Sequence, residues 1–85
     1  MIAIFANSPF NEELRLDCHL VKMNTKAHGE VCILENYAKS VFDIENTIVE
    51  LKNNDKLEKV NILGNAIVKV ENNTINFFGT YEKLA

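Results

Sequence analysis

Cys18-His19 and His28-x-x-x-Cys32 hold every histidine and cysteine of the chain. These residue types suggest either a metal centre or a thiol nucleophile. A structural zinc needs four ligands converging tetrahedrally. Cys18 and His19 are adjacent, and neighbouring residues of an extended chain point to opposite faces, so they do not readily share one metal. Nucleophilic catalysis needs a base beside the thiol and a concave site. His28 precedes Cys32 by four positions across a turn at Gly29, and a chain of 85 residues leaves little room for a pocket. Small buried thiols are common in ordinary cores. No metal, cofactor or catalytic group is therefore expected. A thiol enzyme, marked by unusually fast alkylation of Cys18 or Cys32, is the outlying reading.

Lys22-Met23 invites comparison with biotinyl and lipoyl carrier domains, which display a modified lysine at a hairpin tip. Here the pair lies inside the run Leu20-Val21-Lys22-Met23, where an outward strand lysine is the simpler account. Three glycines, at 29, 64 and 79, build no phosphate loop. Nine basic against twelve acidic residues give a net charge of −3, without the basic footprint of a nucleic-acid binder. The apolar opening stretch, residues 1–6, is about a third of the ~20 residues a membrane span requires. It has no basic n-region or cleavage pattern, so neither direct membrane insertion nor a signal peptide is expected. Two cysteines allow one bridge but no disulfide framework, and a reduced, cytoplasmic protein is the expectation. Asn72-Asn73-Thr74 matches a glycosylation acceptor, which carries little weight without a secretory signal.

The elements that would position these groups are short strands within one domain, residues 1–85. Val and Ile total 15 residues and Asn alone 12, a mixture of β-branched runs punctuated by turns. The firmest element covers residues 66–78. With Asn72-Asn73 as a two-residue hairpin loop, Val70 faces Ile75 and Val68 faces Phe77 on one side. On the other side Glu71 faces Thr74, Lys69 faces Asn76, and Ile67 faces Phe78. A one-residue slip would scatter this sorting. Ile67 and Phe78 are then an apolar pair opposed on the otherwise polar face, which suggests a partner surface.

Upstream, Val49 and Leu51 alternate with Ile48, Glu50 and Lys52. The polar loop 53–56 follows, and a returning strand over 57–63 points Val60 and Ile62 inward. Residues 2–5 and 14–17 are strand candidates separated by Asn7-Ser8-Pro9-Phe10-Asn11, with Leu14 and Leu16 alternating with Arg15 and Asp17. Residues 18–24 continue in extended form, 25–29 form a polar loop, and 31–34 read as a short apolar strand covered on both sides. Residues 36–43 are ambiguous: Asn36 can cap a helical turn that places Tyr37, Val41 and Ile44 at helix-like spacing, but eight residues are marginal for a helix. The sum is all-β, a small β-sandwich or flattened barrel of about seven or eight mostly antiparallel strands.

The order of these features resembles one family, the epsilon subunit of rotary F-type ATPases (delta in mitochondria), in its N-terminal β-sandwich. That family has a Gly-Glu-Leu-Gly-Ile-Leu run and a Pro-Gly/Asn-His-Ala-Pro-Leu-Leu turn. This chain has Gly29-Glu30-Val31-Cys32-Ile33-Leu34, then Glu35-Asn36-Tyr37-Ala38-Lys39-Ser40-Val41. The family's Ser-Gly-Gly-Phe-Leu-Glu-Val, turn, Val-Thr-Val-Leu is matched by Gly64-Asn65-Ala66-Ile67-Val68-Lys69-Val70, Glu71-Asn72-Asn73 and Ile75-Asn76-Phe77-Phe78. Ile48-Val49-Glu50-Leu51 takes the place of the strand after the family's Lys-Pro-Gly. The similarity covers nearly the whole chain. Glu35 and Lys39 replace the two turn prolines and Tyr37 the histidine, as in a divergent member.

The resemblance implies a non-catalytic central-stalk subunit of a rotary F-type or F1-like ATPase. It would clamp the foot of the gamma subunit and rotate with it, beside the α/β ATPase subunits, peripheral to the membrane through the complex. Tyr37, Phe42, Gly64 and Lys69 match gamma-facing positions, with Lys69 replacing a frequent glutamate, so the partner's charge must be reversed there. Ile67 and Phe78 join them through their apolar exposure. Glu30 matches the acidic residue of the loop that faces the ring of c subunits. The family's C-terminal helical arm, with its regulatory and ATP-binding roles, does not carry over. The alternative is an unrelated carrier or adaptor β-domain, a lipoyl-like or protein-interaction module.

Overall fold

The computed structural model describes residues 1–7 and 12–84. These residues form eight strands: β1 (Ile2–Asn7), β2 (Glu12–Asp17), β3 (Leu20–Thr25), β4 (Gly29–Leu34), β5 (Ser40–Glu45), β6 (Ile48–Asn53), β7 (Lys56–Glu71) and β8 (Thr74–Leu84). They form one sheet in the order β2-β1-β8-β7-β6-β3-β4, with β5 joined separately to β7. Among the described residues only the β1–β8 pairing is parallel. The fold is all-β and mostly antiparallel, as the alternating pattern predicts, and the sheet is not closed into a barrel. The turn expected around Ser8-Pro9-Phe10 lies outside the described residues.

The sheet must double over, and β7 shows where. Sixteen extended residues would reach about 50 Å at ~3.3 Å each, yet the molecule measures 30 × 28 × 20 Å. The bend falls between Leu63 and Ile67, where the register against β8 shifts. Gly64 there has φ of 76°, a left-handed conformation that glycine adopts without steric penalty. Asn46 holds the bend from outside: its side-chain oxygen accepts the Gly64 N–H at 2.8 Å, and its own N–H donates to the Gly64 carbonyl at 2.9 Å. Before the bend β7 pairs with β6; after it, with β5. The two halves of the sheet enclose one sandwich-like core without any covering helix.

That core takes alternate residues from both halves. Val21, Val49, Leu51, Val60 and Ile62 come from one half, and Phe5, Ile44, Val68, Val70, Ile75 and Phe77 from the other, all almost completely buried. Phe5 and Phe77 stack at 4.2 Å between ring centroids with planes 10° apart. No buried side-chain nitrogen or oxygen among the described residues lacks a hydrogen-bond partner. The turns follow from asparagine's tolerance of the left-handed region: among the described residues the non-glycine positions with positive φ are Asn36, Asn46, Asn54, Asn72 and Asn73.

The hairpin over 66–78 has the expected register at every position, from Ile67↔Phe78 to Glu71↔Thr74. The hairpin before it differs in one detail. Asn53 pairs with Lys56, so its turn is the two residues Asn54-Asp55 rather than a four-residue loop. One other expectation is corrected. Residues 31–34 are not covered on both sides: β4 pairs only with β3 and forms a sheet edge, and alternation buries Ile33 while exposing Cys32 and Leu34. The ambiguous segment 36–43 resolves toward the strand, with β5 beginning at Ser40. The second half of β7 has an edge that only β5 satisfies, from Ser40↔Val70 to Glu45↔Asn65, and this pairing supplies backbone hydrogen bonds that one isolated helical turn could not match.

Candidate functional site

The residues read for chemistry are dispersed. Cys18 is buried, and burial raises its thiol pKa above the ordinary value, which suppresses the reactive thiolate. Cys32 is exposed, and both thiols are free. His19 Nδ1–H donates to Glu35 Oε1 at 2.7 Å, and this bond lowers the Glu35 pKa, with the Met1 amine adding to the effect. His28 lies on the β3–β4 turn, edge-on to Phe42 with 6.3 Å between ring centroids. Its backbone N–H donates to Thr25 Oγ1, whose hydroxyl donates to the Gly29 carbonyl, closing the turn. No three His, Cys, Asp or Glu side chains among the described residues are grouped as metal ligands. Lys22 lies within β3, 3.4 Å from Glu30, its ion-pair partner.

The surface residues are more coherent. Strand pairing places Ile67, Lys69 and Phe78 side by side on the outer face of the half-sheet β2-β1-β8-β7-β5. Its pairings extend this patch on both sides. Val41 on β5 lies opposite Lys69, and Ile4 on β1 opposite Asn76. Val41 is 63% exposed, Phe78 47% and Ile67 39%. Lys69 Nζ stands 6.0 Å from the Phe78 ring centroid, a cation–π geometry. Asp43, Lys26 and Asn65 border a groove of about 260 Å³ beside Ile67 and Phe78. Exposed hydrophobes grouped in register, rather than scattered, are the mark of an interaction surface.

The other outer face also carries exposed apolar residues in register, beside a charged row. Leu57, Leu20 and Leu34 align across strands through Lys52, with Leu34 54% and Leu57 50% exposed. Lys22, Glu50 and Lys59 face one another in a row of alternating charge across β3, β6 and β7. Such a row suits solvent, and exposed pairs contribute little stability.

Tyr37 stands at one end of the apolar face, in the loop from β4 to β5. A clasp holds this loop to the β7–β8 turn. Asn36 N–H donates to the Asn73 side-chain oxygen at 2.5 Å, and Asn73 Nδ2 returns a bond to Asn36 Oδ1 at 3.1 Å. Lys39 and Glu71 add an ion pair at 3.8 Å. Gly64 lies at the β7 bend and shapes the sheet rather than offering a side chain. Glu30 lies on the β4 edge, in the other half of the sheet.

Phe42 corrects the reading that places it on the partner surface. It is only 9% exposed and belongs to the core, because β5 points Phe42 and Ile44 inward and Val41 outward. Val41 is the residue that sequence reasoning missed. Its signal was its parity with Lys69, legible only once β5 is known to be a strand beside β7.

No helix among the described residues is long and apolar enough to cross a membrane. No family model and no curated protein matches the chain.

Proposed function

We propose that this chain is a non-catalytic rotor subunit of a rotary F-type or F1-like ATPase, clamping the foot of a gamma-like shaft and turning with it. The α/β-type ATPase subunits would belong to the same assembly, and a ring of c subunits would meet the β4 edge at Glu30. The observation that carries the reading is the apolar outer face around Ile67 and Phe78. It coincides with Lys69, which the resemblance to the epsilon subunit assigns to the gamma contact. Torque transmission needs a stiff partner rather than a reacting group, and a closely packed two-layer core supplies stiffness. The ion-paired position of Lys22 within a strand disfavours the carrier alternative, since a swinging lysine needs an exposed tip.

The test is isolation of the tagged chain from its native cells under mild conditions, with the recovered complex identified by mass spectrometry. A stoichiometric gamma-like coiled coil together with α/β-type ATPase subunits is expected. Recovery of the chain with neither, or with an adduct on Lys22, would overturn the proposal.

A further inference from the structure

β2 is an edge of the sheet and, among the described residues, pairs only with β1. One contact fixes which of its backbone groups are free. The Cys18 N–H donates to the Met1 carbonyl at 3.0 Å. Bonded pairs recur at every second residue of an antiparallel ladder, so Leu16 with Ala3 and Leu14 with Phe5 are bonded pairs too. The N–H and C=O groups of Glu13, Arg15 and Asp17 therefore point away from the sheet, where they can template another extended chain. The same three residues have exposed side chains that alternate as acid, base, acid.

We infer that this edge receives β2 of a second copy of the chain, antiparallel about a two-fold axis at Leu16. Identical strands meeting this way are self-complementary. Arg15 of each copy lies opposite Asp17 of the other, and both residues offer outward backbone groups, so the two positions exchange hydrogen bonds on either side of the axis. On the inward side Leu16 faces Leu16, and Leu14 faces Cys18. The charges select this register. An axis at Arg15 would set arginine against arginine and Glu13 against Asp17, and like charges directly opposed are destabilising. An axis at Leu14 would repeat the Glu13–Arg15 pair already made within each chain, leave Asp17 unmatched and set Leu16 opposite Glu12. The other open edges have no such match. β4 carries one charge, Glu30, and β5 only the acidic Asp43 and Glu45. In the half of β8 beyond β1, Glu82 and Lys83 are adjacent and so fall on opposite faces. None of these strands can place opposite charges across a two-fold axis. Joining β2 to β2 extends the half-sheet edge to edge and leaves the outer face around Ile67 and Phe78 uncovered. The contact thus neither needs nor excludes a gamma-like partner.

The experiment uses the purified full chain. Sedimentation velocity over a range of concentrations should show a monomer–dimer equilibrium that moves toward monomer as salt screens the exposed ion pairs. Arg15→Glu and Asp17→Arg each set like charges across the axis, and each should weaken dimerisation about tenfold or more. Mixed in equal amounts, the two variants restore both opposed pairs and should form a heterodimer of about native affinity. Both substitutions are on exposed side chains, and circular dichroism melts should show the native fold in each. Hydrogen exchange adds a backbone readout. The amides of Leu14 and Leu16 should be protected at every concentration, whereas those of Arg15 and Asp17 should slow about tenfold or more only as the dimer forms. A chain that stays monomeric at every concentration would overturn the inference. So would a dimer that survives both charge variants, or one that Phe78→Ser alone dissociates, since the copies would then meet through the apolar face. Charge variants that dissociate the dimer but fail to recover it when mixed would overturn the axis at Leu16. Each of these failures leaves the rotor reading standing, and recovery of the native chain without a gamma-like partner leaves the β2 contact standing.

Discussion

Gly79 and Gly64 face different constraints although both lie at the bend of the sheet. A Cβ on Gly79 would stand 2.7 Å from the Ala66 Cβ and 3.0 Å from the Asn65 carbonyl oxygen. Neither neighbour can rotate away, because one is a methyl fixed to its backbone and the other is backbone itself. Gly64 has open space around it but needs a left-handed φ of 76°, for which another residue would forfeit about 1–2 kcal/mol. Gly79→Ala should therefore be the more damaging change, by overpacking of about 1–3 kcal/mol together with loss of the close β7–β8 approach. Urea unfolding of both variants checks this, and a greater loss in Gly64→Ala would refute it. Glu35 gives a pH prediction. Hydrogen bonding to His19, then the Met1 amine, lowers its pKa in the folded state. A depressed carboxyl pKa contributes stability that is full above the unfolded value and is lost as pH falls through the folded one. Glu35→Gln should accordingly lower the melting temperature slightly at neutral pH, with the two proteins converging below the ordinary glutamate range. A constant difference down to strongly acid pH would show that the His19 contact is not the cause.

At the scale of elements, the β7–β8 hairpin tests the sorting of faces. Val68 and Val70 point inward and are almost wholly buried, while Lys69 between them points out. Val68→Asp or Val70→Asp would bury a charge without a partner, costing several kcal/mol. The whole domain should possess only about 4–13 kcal/mol, at ~0.05–0.15 kcal/mol per residue. Either aspartate should unfold the chain, whereas Lys69→Ala should change stability by no more than about 0.5 kcal/mol. Circular dichroism melts of the three variants distinguish the outcomes, and equal losses would mean that the register is wrong. This hairpin was legible because both of its strands alternate without interruption and its turn is two asparagines. β5 was not. Its six residues carry a pattern that fits one helical turn as well as a strand, and the deciding factor, the open edge of β7 after the bend, lies more than twenty residues away in sequence.

For the molecule as a whole, stability and docking should separate on opposite faces of the same strands. Phe42 packs into the core and also touches Tyr37 and His28 through its ring. Phe42→Ala should cost about 3–5 kcal/mol, a large fraction of the total, and lower the melting temperature by more than 10 °C at ~4–8 °C per kcal/mol. Phe78→Ser and Tyr37→Ala, both on exposed residues, should leave the melting temperature within a few degrees while reducing partner capture. Scanning calorimetry beside the binding assay checks the division. If Phe42→Ala melts like the native chain and loses only binding, its place in the core is wrong. The sequence alone determined the strands with strict period two, the asparagine turns and the β7–β8 register, because each depends on neighbours within a few residues. It also carried the apolar pair Ile67 and Phe78, since cross-strand partners in a tight hairpin follow from counting. Only the tertiary structure decided that Phe42 is core and Val41 surface, and that β4 is an edge. Those facts depend on how one long strand bends at Gly64 and changes partners, a long-range outcome that no local period encodes.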